Sequence, residues 1–248
     1  METYRSVLVV DAEKFSAHRD AELPGVHLEI RRVLAAACDR SGLGEVWAGV
    51  RFMESTGDGV LAVLPHEALS ALIDPFPRYL QEALAEAAPG LRARGLRLRL
   101  RVALHVGLVD DEHPDAPGIS TATIDVCRLL DAAPLRDALA HSDPEVTFAA
   151  FLISGDVFNA YVAGGRSGLR ESQFTEVEVK VKQYARAAYL YVPTPSGGRG
   201  FRPPEEPGGP PPPPPGGGTS ISGVTITGEG AQTAFGNTVG GDLRQERP

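Results

Sequence analysis

The chain has 248 residues, 42% hydrophobic and 23% charged, with 32 acidic against 24 basic side chains and a formal net charge of −8. That length supplies one good-sized core plus an appendage, or two small domains. The acidic balance excludes a non-specific electrostatic grip on nucleic acid or an anionic membrane. Cys38 and Cys127 have no nearby cysteine and no metal-ligand spacing, so both read as small buried hydrophobes. With no signal-peptide core and no apolar run long enough to span a bilayer, a soluble cytoplasmic protein is expected.

Taken in chain order, Ser6 to Val10 is a buried strand that runs into Asp11. Leu23 to Ser41 is a helix with Val26, Ile30, Val33, Leu34 and Ala37 on one face. Val46 to Glu54 and Gly59 to Leu64 read as two strands of a hairpin whose turn is Ser-Thr-Gly-Asp-Gly. His66 to Ala88 is a helix bent around Pro75 and Pro77. In Leu96 to Val109, leucines and valines alternate with Arg97, Arg99, Arg101, Ala103 and His105, which predicts a strand with one buried face. Ser120 to Ala140 is a helix, and Val146 to Ile153 a strand. Ser154 caps a short helix through Val162. Glu176 to Lys182 and Ala187 to Val192 close the region as a strand pair. The order predicts an α+β fold: a ferredoxin-like βαββαβ core with a C-terminal α/β extension over residues 1–194.

Composition changes near Pro193. Residues 195–218 are mostly proline and glycine, including the run Pro210 to Pro215, and are expected to form a disordered linker with a polyproline II stretch. Residues 219–248 form a Gly/Thr-rich tail. Ser220-Ile221-Ser222-Gly223-Val224-Thr225-Ile226-Thr227 alternates small polar with β-branched residues, a cross-β composition. The tail loosely resembles the Gly/Asn-rich motifs of bacterial signalling amyloids and those of RIP kinases. That resemblance implies a partner protein with a similar segment; a disordered tail is the other reading.

Two aspartates carry the chemistry. Asp11 ends one apolar strand, and Asp58 lies in the turn that opens another. If those strands are neighbours, the carboxylates converge and raise each other's pKa, a conflict that a divalent cation removes. Taken singly, Asp11 is also a turn cap and Asp58 a natural hairpin residue.

The segment Val10-Asp11-Ala12-Glu13-Lys14-Phe15-Ser16 resembles the strand-end Asp-x-x-x-Phe-Thr/Ser signature of class III nucleotidyl cyclases. Glu54-Ser55-Thr56-Gly57-Asp58-Gly59-Val60 is similar to that family's Gly-Asp-Gly hairpin. Leu100 to Gly107 resembles its v-r-i-G-i-H-t-G strand, Val126-Cys127-Arg128-Leu129-Leu130 its a-a-R-L helix end, and Val177 to Lys182 its terminal strand with a phosphate-binding lysine. The resemblance implies that Asp11 and Asp58 hold two Mg²⁺ or Mn²⁺ ions and a nucleoside triphosphate. It also implies that Arg128 stabilises the pentavalent transition state, that Lys182 (or Lys180) binds the triphosphate, and that Glu54 reads the purine, with Phe15 also at the substrate. The ribose-orienting Asn expected four positions before Arg128 is Ile124, with Asp125 next door as the candidate substitute. The stretch from Gly107 to Arg128 is short and lacks the usual hairpin, and the glycine expected after Lys182 is Gln183. Guanine, adenine and a pyrimidine all stay open.

In this family the metal aspartates come from one protomer, and the base reader, arginine and lysine from the other, so a homodimer with composite sites is implied. Two functional classes follow. One is an intracellular signalling enzyme that makes a 3′,5′-cyclic nucleotide. The other is a cyclase-homology domain without turnover, serving as a nucleotide sensor or dimerisation platform for the tail. A dinucleotide-cyclase relative is disfavoured, because Ser-Thr-Gly-Asp-Gly does not match the Gly-Gly-Asp/Glu-Glu/Asp-Phe hairpin.

Overall fold

The computed structural model describes residues 1–181 and 184–197. Nearly all of the expected linker, the whole tail motif, and Lys182 and Gln183 lie outside the described residues. The elements are β1 (Thr3–Ala12), α1 (Leu23–Arg40), α2 (Gly44–Ala48), β2 (Phe52–Ser55), β3 (Gly59–Pro65), α3 (Leu69–Ile73), α4 (Phe76–Ala93), β4 (Leu100–Val109), α5 (Thr121–Leu130), α6 (Ala133–Ala140), β5 (Ala149–Ser154), α7 (Gly155–Val157, continued by a wider turn to Ala163), β6 (Thr175–Val181) and β7 (Tyr184–Tyr191). They build a seven-stranded sheet of order β2-β3-β1-β4-β5-β7-β6. The first four strands have the antiparallel ferredoxin-like arrangement. β5 then adds parallel to β4, and the β6–β7 hairpin extends the sheet. The α+β fold with a C-terminal extension is thus the one expected from the sequence.

β1 lies between β3 and β4 and is buried on both sides. Leu8 and Val10 join a core with Ile30 and Leu34 of α1 and with Phe76, Leu80 and Leu84 of α4. Val7 and Val9 join a second core with Val126 and Leu129 of α5 and Leu135 and Leu139 of α6. A strand covered on both faces needs a continuous apolar run, which Val7 to Val10 supplies. Each fully buried side chain of this kind contributes roughly 1.5–3 kcal/mol relative to exposure.

The same two-sided burial corrects the reading of the arginine-rich strand. β4 begins only at Leu100, and its second face lies under α5 rather than water. His105 is therefore buried, at 6% exposure, and Arg99, just before the strand, is 7% exposed with its guanidinium on the Thr147 and Leu139 carbonyls. The expected strand from Val46 is helix α2 as far as Ala48, and β2 starts at Phe52. Leu43, Val46, Trp47 and Val50 all pack on the first core, and their spacing is helical, not alternating. The expected single helix over Ser120 to Ala140 is two helices. The backbone turns extended at Ala132, and a proline occupies the first turn of α6, where a missing N–H costs nothing. α5 begins with a reciprocal cap: Ser120 Oγ accepts from the Thr123 amide at 3.2 Å, and Thr123 Oγ1 from the Ser120 amide at 3.1 Å.

Candidate active site

β1 is hydrogen-bonded to β3 on one side and β4 on the other, so Asp11 stands opposite Gly59 and opposite Arg101. The hairpin turn brings Asp58 to the same corner. Gly57 takes a φ of +92°, which a glycine adopts freely. The Ala12 amide donates to the Asp58 carbonyl at 2.9 Å. A Cβ on Gly59 would lie 1.9 Å from the Val10 carbonyl oxygen, so only glycine lets the turn press this closely on β1. Burial, then hydrogen bonding with the neighbouring Asp58 carboxyl, push the Asp11 carboxyl up from an ordinary 3.8 to about 6, against the opposing pull of Arg101. Arg101 forms an ion pair with Asp11, and its Nε is buried with no hydrogen-bond partner. Phe15 sits half-buried in the turn after β1, edge-on to His18 at 6.3 Å between ring centroids.

Two carboxylates competing for one proton suit a divalent cation, which replaces the proton and lets both ionise. No group of three or more potential metal ligands occurs among the described residues. Mg²⁺ does not need one, because it commonly binds through one or two carboxylates, retained waters and substrate phosphates. The donor set fits such an ion.

A separate cleft of about 340 Å³ holds Glu54, Thr123, Ile124, Cys127, Arg128, Asp131 and Val181; neither Asp11 nor Asp58 lines it. Glu54 is exposed on edge strand β2, and Arg128 is half-buried on α5. Arg128 Nη1 donates to Asp125 Oδ1 at 2.9 Å across one helical turn. Asp125 is only 4% exposed and does not line the cleft; Ile124, 49% exposed, does. Asp125 therefore reaches the cleft only through Arg128. Val181 at the end of β6 brings that strand to the cleft, while Lys180 points its ammonium at Glu178, 2.8 Å away on an exposed face. Gly118, at φ +74°, lies against the Phe52 ring, where a Cβ would fall within 2.5 Å of a ring carbon. His105 is buried on β4. Burial lowers its pKa, with Asp156 and Asp125 opposing, which fits a structural histidine.

The structure thus joins Asp11 with Asp58 and joins Glu54 with Arg128, as two distinct sites on one chain. Sequence reasoning gave Arg101 no role. In the sequence Arg101 is one of three alternating arginines with Arg97 and Arg99, and it stands out only when the register sets it opposite Asp11.

The fold is shared with solved cyclase structures. The guanylyl cyclase Cya2 aligns with a TM-score of 0.54 at 16% identity, over 81% of this chain and 96% of that one. The adenylyl cyclase CyaB from P. aeruginosa aligns at 0.51 and 13% identity, over 77% and 95%. An adenylate cyclase from Trypanosoma brucei, solved in its monomeric state, aligns at 0.51 and 14% identity, over 77% and 88%. No family model matches the sequence, and neither does any curated protein. No helix among the described residues is long and apolar enough to cross a membrane.

Proposed function

We propose that the chain is a nucleotidyl cyclase that converts a nucleoside triphosphate to a 3′,5′-cyclic nucleotide and pyrophosphate in intracellular signalling. The observation that supports this reading is the convergence of Asp11 and Asp58 at the strand–turn corner, where Asp11 pairs with Gly59 and the Ala12 amide binds the Asp58 carbonyl, within a fold shared with solved cyclase structures. Bound Mg²⁺ or Mn²⁺ would supply Lewis acidity toward the ribose 3′-hydroxyl and charge neutralisation at the triphosphate. Asp11 and Asp58 would hold those ions. Arg101, paired with Asp11 at this corner, would offer a guanidinium to the phosphate oxygens. Arg128, oriented by Asp125, offers a second guanidinium to charge that develops at the α-phosphate. Glu54 accepts hydrogen bonds from the base at the mouth of the cleft. Phe15 and Lys182 belong to the same substrate contact in this reading.

Because the carboxylate corner and the Glu54–Arg128 cleft are separate on one chain, the reading requires a homodimer in which one protomer's corner faces its partner's cleft. The test is direct. Purified protein is incubated with Mn²⁺ and each of the four nucleoside triphosphates, and products are read by mass spectrometry. A 3′,5′-cyclic product that vanishes in Asp58→Ala supports the enzyme.

One observation favours the second reading, a nucleotide sensor or dimerisation platform presenting the C-terminal tail to a partner protein. Ile124 sets a half-exposed apolar side chain in the cleft where a ribose-orienting amide is expected. Tight nucleotide binding without product in the same assay would select it. The tail's part in that reading is tested by thioflavin fluorescence of the isolated 219–248 peptide. A peptide that neither fibrillises nor seeds would remove it.

A further inference from the structure

Arg99 is a buried arginine just before β4, with 8% of its side chain exposed. Its Nε donates to the Thr147 carbonyl at 2.9 Å and its Nη1 to the Glu13 carboxylate at 3.0 Å. Its Nη2 donates to the Leu139 carbonyl at 2.8 Å and also to Ser142 Oγ. One guanidinium therefore ties together the segment after β1, the end of α6 and the approach to β5.

Hydrogen bonds continue in both directions. Toward the carboxylate corner, the Glu13 amide donates to the Arg99 carbonyl at 2.9 Å, and the Ala12 amide donates to the Asp58 carbonyl at 2.9 Å. Away from it, fully buried Thr147 donates its hydroxyl to the Thr194 carbonyl at 2.6 Å. That leaves Ser196 as donor in its 2.6 Å contact with Thr147 Oγ1, while Ser196 Oγ accepts from the Asp143 amide at 2.9 Å. Ser196, the second residue of the expected linker, is thus hydrogen-bonded to Asp143 and Thr147.

We propose that Arg99 is a positioning residue for the carboxylate corner. Through it, the root of the C-terminal linker, seated at Ser196, sets how firmly the strand end bearing Asp11 is held. The inference rests on the metal-binding reading of Asp11 and Asp58 and adds a means of regulating that site. Charge-assisted hydrogen bonds between buried groups are the strong ones, and loss of one partner leaves the other charge buried and uncompensated. A tail partner that pulls on the linker loosens Ser196 first, then Thr147, and with it the anchor of Arg99 and Glu13.

The test uses the full chain. Amide hydrogen exchange is read by NMR at Ala12 and Glu13, with core amides of α1 as the reference for global opening. Relative to wild type, Thr147→Val and Arg99→Lys are expected to speed exchange at Ala12 and Glu13 by about tenfold and Ser196→Ala by about threefold, the reference amides being unchanged. Mn²⁺ affinity, followed by electron paramagnetic resonance, is expected to weaken in the same order. Unaltered exchange at Ala12 and Glu13, or equal acceleration at the α1 amides, would overturn the proposal. If the exchange effects appear but wild type binds no Mn²⁺, the metal reading falls and the positioning network stands.

Discussion

The carboxylate corner and the Glu54–Arg128 cleft are built by different means. The corner is made by neighbouring strands. Asp11, Gly59 and Arg101 are register partners, and the Gly57–Gly59 turn leaves Asp58 little choice of position. It is tight and charged, and Asp11 is 5% exposed. The cleft is made by an edge strand, a loop, a helix and the end of β6, and much of its wall is apolar: Phe52, Ile119, Ile124 and Val181. A site fixed by backbone register tolerates little change. A site fixed by packing between separate elements can drift in its side chains while the fold stays the same. Ile124, the departure from the expected ribose-orienting amide, falls at the cleft, which also holds Glu54 and Arg128.

Breaking the corner is expected to have the largest effect. Asp58→Ala or Asp11→Ala should reduce cyclic-nucleotide formation by about 10³-fold or more, since in the proposed reading this pair holds the ions. Arg128→Ala should reduce kcat by about 10²–10³-fold. Mixing the Asp11→Ala and Arg128→Ala chains should restore part of the activity if the corner of one protomer faces the cleft of another. No recovery in the mixture argues against a shared site.

Gly59→Ala tests whether backbone approach builds the corner. Its new methyl group meets the Val10 carbonyl, and the protein should lose about 3 kcal/mol or more in urea unfolding. An unchanged unfolding midpoint would mean that the turn has room to move. The cleft should respond in the opposite sense. Ile124→Asn replaces an exposed apolar side chain with an amide that can hydrogen-bond a ribose, and should lower KM or raise kcat by about tenfold with little change in stability. A loss of activity would count for an apolar ligand in the cleft.

The smallest effect concerns protonation. In metal-free protein the Asp11 pKa is raised from 3.8 to about 6, so the folded state binds the proton more tightly than the unfolded chain. This contribution to stability is fully present below about pH 4 and is lost as pH rises through about 6. Asp11→Asn removes it. The difference in Tm between variant and wild type should therefore grow in the variant's favour from pH 4 to pH 7, by a few degrees. Excess Mg²⁺ should stabilise wild type and not the variant. A pH-independent difference would show that Asp11 titrates normally.

Much of the architecture was legible from local pattern. The run Val7 to Val10, the α1 stripe and the Ser154 cap all fall where the sequence puts them. The helix at Val46 was missed because a single turn of helical spacing beside a long strand reading is a weak signal, and packing of Leu43 and Trp47 on the core decides it. The α5–α6 break was missed because its residues suit a continuous helix on both sides of Pro134.

By itself the sequence determined most of the strands and helices, though not α2 or the break between α5 and α6, and that two acids stand where strands become turns. Only the tertiary structure decided that those acids touch, that Arg101 faces one of them, that Arg99 is buried rather than solvent-exposed, and that Glu54 and Arg128 share a cleft apart from the acids. The reason is physical. Side-chain period fixes which face of an element a residue takes, but not which element covers that face or which residue lies across the ladder. Those depend on register and on packing between segments far apart in the chain.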